Sequence, residues 1–126
     1  MPDDRVNVRY LVDDVEASIG FYTEHFGFTV LSSAAPAFAD VARDNLRLLL
    51  SGPKSSAGRP MPDGRQPAPG GWNRIHFIVD DIDAEVERLR AAGVTFRNEV
   101  IEGPGGRQVV VDDPSGNPIE LFQPRG

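Results

Sequence analysis

The chain contains an internal repeat in which a strand pattern leads into a helix pattern. The segment that begins at Val8 returns at Ile75, 67 residues later. In each copy a stretch of alternating apolar and polar residues is followed by a pair of aspartates. An amphipathic helix pattern comes next and ends at a glycine. A duplicated unit of this kind predicts two similar modules that bury their apolar faces by packing, with a binding site expected between the copies.

The first copy begins with a predicted strand that leads into a predicted helix. Residues 6–12 alternate, which predicts a strand with one face on a core. Val6, Val8, Tyr10 and Val12 form that face, and Asn7, Arg9 and Leu11 form the other. Asp14 is the predicted N-cap of a helix that ends at Gly27, and Asp81 and Gly93 have the same roles in the second copy.

Short strands follow each predicted helix. They are expected at 28–32, 37–42 and 46–51 in the first half, and at 95–101, 107–112 and 119–123 in the second. Each half is therefore β-α-β-β-β, and the fold class is α+β with two tandem βαβββ modules. We expect a single domain over 1–126, with module 1 at about 5–51, a linker at 52–71 and module 2 at about 72–124. The linker is either a simple connection or a flap, and Trp72 either packs under it or stacks on a ligand.

Composition narrows the function classes. The 126 residues fit one domain, and no apolar run approaches the ~20 residues that cross a bilayer. There are no cysteines, which excludes disulfides and thiolate chemistry. The net charge of −6 argues against a nucleic-acid partner and suits either solubility or weak attraction of cations. We expect a cytoplasmic protein.

Two segments resemble a known superfamily. Residues 14–28, Asp-Val-Glu-Ala-Ser-Ile-Gly-Phe-Tyr-Thr-Glu-His-Phe-Gly-Phe, resemble the first helix of the vicinal oxygen chelate superfamily, and residues 112–122, Asp-Asp-Pro-Ser-Gly-Asn-Pro-Ile-Glu-Leu-Phe, resemble its closing hairpin. Its members include glyoxalase I, bleomycin-resistance proteins and extradiol dioxygenases. The resemblance implies curved half-barrels around a cavity and a homodimer, often with modules exchanged between chains.

The resemblance also implies where a divalent metal would be held, by side chains from the first and last strand of each module. In the family, the first-strand ligand stands seven residues before the aspartate that caps the helix, which corresponds to Asn7 and Arg74 here. The last-strand ligand of the second module matches Glu120, and aligning Asn45 with Asn117 gives Leu48 as its first-module counterpart. A hard cation needs several oxygen or nitrogen donors, and arginine cannot deprotonate to supply one. We therefore predict no metal and no cofactor. Arg74 and Glu120 are expected to form an ion pair, or else to recognise a charged group of a ligand.

Strand alternation predicts the remaining cavity face, on which Leu11, Leu48, Leu50, Ile78 and Phe122 accompany Arg9 and His76. These side chains either line an apolar cavity or pack on one another. The residues predicted to contact a ligand are Asn7, Arg9, Phe38, Leu48, Leu50, Trp72, Arg74, His76, Glu120 and Phe122. His76 and Glu120 are the candidate catalytic groups, His76 as a general base or simply as a packing residue.

Two functions fit these observations. The first is a metal-free protein of the bleomycin-resistance type that binds and sequesters a hydrophobic or aromatic small molecule, cationic in one version. The second is an enzyme, either metal-dependent like a glyoxalase or dioxygenase, or a metal-free isomerase or lyase that uses His76 or Glu120.

Overall fold

A computed structural model describes residues 4–126 of the chain. They form two compact units, the first ending at Pro69 and the second spanning Gly70–Gly126. Within the described residues, neither helix has the length and apolar character that a membrane span requires.

The first unit contains one helix and a four-stranded sheet. Its elements are β1 (Val6–Leu11), α1 (Val15–His25), β2 (Thr29–Ala34), β3 (Phe38–Arg43) and β4 (Leu46–Ser51). The strand order is β1-β4-β3-β2, in which β1 runs parallel to β4 and the other pairs are antiparallel. The first and last strands of the unit are thus neighbours.

The second unit repeats this topology. Its elements are β5 (Ile75–Ile78), α2 (Ile82–Ala91), β6 (Thr95–Phe96), β7 (Ile101–Gly103), β8 (Gly106–Asp112) and β9 (Pro118–Pro124). Strand β5 is parallel to β9, and both β6 and β7 pair with β8. The two βαβββ modules of an α+β chain are therefore confirmed.

One predicted strand, 95–101, is wrong because it is interrupted. The side-chain Oδ1 of Asn98 accepts from the backbone N–H of Val110 at 2.9 Å, where a backbone carbonyl of a continuous strand would accept. The ladder is consequently broken between β6 and β7, since a side chain competes with the backbone for the same donor.

The predicted helix boundaries are confirmed in both copies. Asp14 Oδ1 accepts from the N–H of Ala17 at 3.1 Å, and Asp81 Oδ1 accepts from Ala84 at the same distance. Each cap contributes about 1 kcal/mol. Gly27 follows α1 with φ of 69°, a left-handed conformation in which glycine has no Cβ penalty.

The core of the first unit lies between α1 and one face of its sheet. Helix α1 packs on β3 and β4, and Tyr22 is fully buried with its ring 6.5 Å from that of Tyr10. In the second unit, Gln123 Oε1 accepts from the N–H of Ile82, so the β9 face that carries Gln123 is the one turned to α2. The opposite face of each sheet is called here its helix-free face.

The segment 52–69 folds against the first unit. It includes a short 3₁₀ helix, Ser56–Gly58, whose N-cap Ser55 is buried and accepts from the N–H of Gly58 at 3.2 Å. The side chain of Gln66 donates to the carbonyl of Gly58 at 2.8 Å. Whether this segment also acts as a flap stays a prediction.

Candidate functional site

The helix-free face of the second unit brings four of the predicted residues together. Strands β5 and β9 are parallel, with His76 paired to Glu120 and Ile78 paired to Phe122. Partners in a ladder project from the same face, so these side chains are neighbours. Arg74 precedes His76 by two residues and therefore lies on that face too.

Arg74 and Glu120 form the predicted ion pair. Both Nε and Nη2 of Arg74 lie 2.9 Å from Oε1 of Glu120. The Arg74 Nη1 group also donates to the carbonyl of Trp72 at 3.2 Å. The side chains are only 27% and 11% exposed, so the charge of the carboxylate is neutralised in a place that water reaches poorly.

The second carboxylate oxygen of Glu120 faces His76. His76 Nε2 lies 3.5 Å from Glu120 Oε2, and its ring centroid is 5.2 Å from that of Phe122 with 34° between the planes. The His76 side chain is 44% exposed. This face therefore presents an accessible imidazole and an aromatic ring beside a paired carboxylate.

These donors do not fit a divalent metal ion. Glu120 Oε1 already accepts from Nε of Arg74 and lies 2.9 Å from its Nη2, so the positive charge of Arg74 stands where a cation would have to bind. Within residues 4–126, no three His, Cys, Asp or Glu side chains are grouped so that they could hold a metal. A catalytic metal at this face would require donors that the positions implied by the resemblance do not supply.

The register of the first unit corrects the prediction for Leu48 and Leu50. Val8 pairs with Leu48, and Arg9 pairs with Leu49. Leu48 and Leu50 therefore share the helix-covered face of the sheet, where both are fully buried. The prediction that they lie on the face of Asn7 and Arg9 is wrong.

The error comes from using turn residues to align the two copies. Strands β3 and β4 meet through the two-residue turn at Asp44 and Asn45, with Asp44 at φ of 52°, whereas β8 and β9 are joined by residues 113–117. Turns of different length do not carry register from one copy to the other. The strand pairing makes Leu49, not Leu48, the counterpart of Glu120.

The helix-free face of the first unit holds a charged cluster that the sequence analysis missed. Nε and Nη2 of Arg47 each lie 2.6 Å from Oδ2 of Asp40, and the Ser32 hydroxyl donates to Oδ1. Burial of Asp40 opposes its ionisation, but the hydrogen bonds from Ser32 and Arg47 outweigh it, so the pKa of this carboxyl lies below its ordinary 3.8. The sequence signal that could have revealed this cluster was a pair of oppositely charged residues on two strands predicted to be neighbours, Asp40 on β3 and Arg47 on β4.

Three predicted residues lie on this same face. Arg9 donates from Nη1 to the Ser51 hydroxyl at 3.0 Å. Phe38 is the register partner of Ser51 and is half-buried, and Asn7 is exposed. The face thus carries an exposed guanidinium on β1 and a half-buried aromatic ring on β3, two strands away.

Trp72 does not pack under the linker, and stacking of its ring on a ligand stays a prediction. Its side chain is 73% exposed, and its ring lies 4.7 Å from the guanidinium carbon of Arg97. Arg97 is itself fixed by Asp112 Oδ1 at 2.6 Å and by the carbonyls of Gly71 and Gly116. The interpretation of Trp72 as a residue packed under the linker is therefore wrong, and an indole fixed at the surface remains.

Comparisons with known proteins agree with this geometry. A family model described as the Glyoxalase/Bleomycin resistance protein/Dioxygenase superfamily matches residues 5–121. No curated protein matches the chain significantly.

Solved structures share the whole fold. An antibiotic binding protein, TnmS3 from Streptomyces sp. CB03234, is 29% identical, with 96% of this chain and 95% of that chain covered and a TM-score of 0.72. A superfamily member from Sphaerobacter thermophilus DSM 20745 is also 29% identical, covering 94% and 95% at a TM-score of 0.74. A lactoylglutathione lyase from Agrobacterium tumefaciens, 24% identical over 97% and 94% with a TM-score of 0.75, shares the fold alone.

Proposed function

This chain belongs to the Glyoxalase/Bleomycin resistance protein/Dioxygenase superfamily, and on that premise we propose that it binds and sequesters a small hydrophobic or aromatic molecule without a catalytic metal. We propose that it does so in the cytoplasm and as a homodimer. The likeness to an antibiotic binding protein over nearly the full length supports a drug-like ligand.

The observation that carries this proposal is the ion pair between Arg74 and Glu120. In a metal-dependent relative of this fold, a carboxylate at the Glu120 position would be available to a cation. Here Nε and Nη2 of the Arg74 guanidinium both lie 2.9 Å from that carboxylate, which is therefore not available to a cation. The carboxylate therefore serves to position Arg74, and the surrounding face is left to contact a ligand through His76 and Phe122.

A binding panel tests this proposal. Glycopeptide, enediyne and anthraquinone compounds are titrated into the protein by calorimetry, with quenching of Trp72, the single tryptophan, as a second signal. Phe122→Ala should weaken the tightest binder at least about tenfold, since aromatic contacts contribute about 0.5–1.5 kcal/mol beyond their buried area. Phe96→Ala, the same change on the helix-covered face, is the matched control. Binding no tighter than about millimolar across the panel refutes the proposal.

A second candidate function is favoured by the contact between His76 and Glu120. A carboxylate 3.5 Å from Nε2 of an accessible imidazole is an arrangement suited to general acid–base chemistry. The protein would then be a metal-free isomerase or lyase. Turnover that survives a chelator and disappears in His76→Ala would establish it, and stoichiometric zinc, nickel, manganese or iron in purified protein would instead favour a glyoxalase- or dioxygenase-like enzyme.

The homodimer is supported by exposed apolar side chains at the edges of both sheets. Val6 on β1 is 58% exposed and Ile78 on β5 is 65% exposed. An apolar edge strand left in water is a site for pairing, so burial against a second copy stabilises it. Light scattering should give about twice the 13.7 kDa chain mass, and a monomer at micromolar concentration contradicts the dimer.

A further inference from the structure

We infer that the helix-free face of the first unit recognises an oxyanion of the ligand through Arg9. This inference rests on the proposed binding function and specifies the ligand class, an aromatic molecule with a carboxylate or similar oxyanion. The net negative charge of the chain suggested an attraction to cationic ligands. The charge next to the ligand is that of Arg9, which is positive, so an anionic group is expected instead.

The internal repeat shows why Arg9 differs from its counterpart. His76 stands at the equivalent position of the second copy, and its ladder partner is Glu120. The ladder partner of Arg9 is Leu49. The second copy therefore supplies a carboxylate to its basic residues, whereas the first supplies an apolar side chain at the same place. Among residues 4–126, no acidic side chain pairs with Arg9.

The charges on the strands of this face agree with the absence of a counterion for Arg9 among residues 4–126. Its strands carry two guanidiniums, of Arg9 and Arg47, and one carboxylate, of Asp40. Nε and Nη2 of Arg47 both lie against Oδ2 of Asp40, and Ser32 donates to the other oxygen of that carboxylate. Among the strands β1–β4, the face is left with one positive charge that no carboxylate of these strands neutralises, on a chain whose net charge is −6.

Arg9 is also held in position, which a purely solvating surface arginine would not be. Its Nη1 donates to the hydroxyl of Ser51, a residue with no exposed surface. Within residues 4–126 no partner takes the remaining N–H groups of the guanidinium fork, which can bind an oxyanion in a bidentate manner. Phe38, the ladder partner of Ser51, and Leu49 provide apolar surface on either side for a ring.

A matched pair of probes tests the inference. Anthraquinone-2-carboxylate and the neutral anthraquinone-2-carboxamide have nearly the same shape, and calorimetry at low salt measures both. We expect the carboxylate to bind at least about tenfold tighter, with the ratio falling as salt rises. Arg9→Gln should bring the ratio close to one, and Arg9→Lys should retain only part of it. Arg59→Gln, the same charge change on an exposed linker residue, should leave the ratio unchanged.

The outcomes separate this inference from the proposed function. Equal binding of both probes by the natural protein overturns the oxyanion preference and leaves the binding function standing. A preference that survives Arg9→Gln in a variant with an unchanged circular dichroism spectrum overturns the role of Arg9. Failure of both probes to bind overturns the inference of an aromatic oxyanion ligand, while the binding function is then decided separately by the compound panel.

Discussion

Breaking the ion pair from its two ends should cost different amounts of stability. Arg74→Met removes the guanidinium and leaves the Glu120 carboxylate, whose side chain is 11% exposed, without its main partner. Glu120→Gln instead leaves Arg74, which is 27% exposed and keeps its bond to the carbonyl of Trp72. Of these two unpaired charges, the Glu120 carboxylate should destabilise the folded state more, because it is less exposed and so more poorly hydrated.

The magnitudes follow from these exposures. Removal of one partner of a fully buried pair costs about 3–5 kcal/mol, and the residual exposure of Glu120 together with the nearby His76 reduces this to about 2–3 kcal/mol for Arg74→Met. Glu120→Gln should cost about 1 kcal/mol, because water and a carbonyl still solvate the guanidinium. The double variant Arg74→Met with Glu120→Leu should lie within about 1 kcal/mol of the natural protein, since no unpaired charge remains.

Urea denaturation followed by circular dichroism at one fixed protein concentration measures these differences. Arg88→Met is the control, because Arg88 pairs with Glu85 on an exposed helix surface and should cost at most about 0.5 kcal/mol. Equal costs for Arg74→Met and Glu120→Gln, or a double variant as unstable as Arg74→Met, would refute the reasoning.

Three further predictions concern metal binding at position 74, the charged cluster of Asp40 and Arg47, and the replacement of Gly52 and Gly20. Arg74→His should bind zinc at least about tenfold tighter than Arg74→Met in calorimetry, because it completes a set of two imidazoles and a carboxylate; equal affinities would count against Arg74 as the residue that excludes metal. Asp40→Asn should lower the urea midpoint more at neutral pH than at pH 3: the lowered pKa of Asp40 gives stability that is fully present above its ordinary 3.8 and declines as the pH falls toward the folded value. A midpoint difference that persists unchanged at pH 3 would contradict this. Gly52→Ala should destabilise by about 2 kcal/mol, because its Cβ would lie 2.7 Å from the carbonyl oxygen of Pro36, whereas Gly20→Ala in α1 meets nothing within 4 Å and should stabilise by about 0.5–1 kcal/mol in the same assay; equal effects would be inconsistent with the contact.

Local chemistry made much of the fold predictable. The caps Asp14 and Asp81 and the stop at Gly27 are decided by hydrogen bonds within one turn, so they can be identified from neighbouring residues alone. Strand β4 begins and ends as its alternation indicates. The interruption between β6 and β7 could not be predicted from neighbouring residues, because it depends on the Asn98 side chain accepting a hydrogen bond from Val110 on another strand.

The candidate site was predictable only where the two copies agree. Arg74, His76 and Glu120 meet because the repeat fixes β5 and the closing hairpin fixes β9. Leu48 was placed on the wrong face because register is a property of paired strands, and a one-residue displacement exchanges the two faces. The pair of Asp40 and Arg47 went unnoticed for the same reason, since its meaning appears only when β3 and β4 are aligned.

The pairing of the first and last strands in each unit has a consequence for how the chain folds. Strand β1 can be paired only when β4 is available, some forty residues later, so each sheet closes through contacts that are distant in sequence. Such contacts raise the relative contact order and slow folding compared with a helical bundle of equal size. Because β4 ends at Ser51 and β9 begins only at Pro118, all four strands of the first sheet are synthesised well before β9. Vectorial synthesis thus offers β1 its proper partner before the similar β9 exists, which protects a duplicated chain from mispairing of its copies.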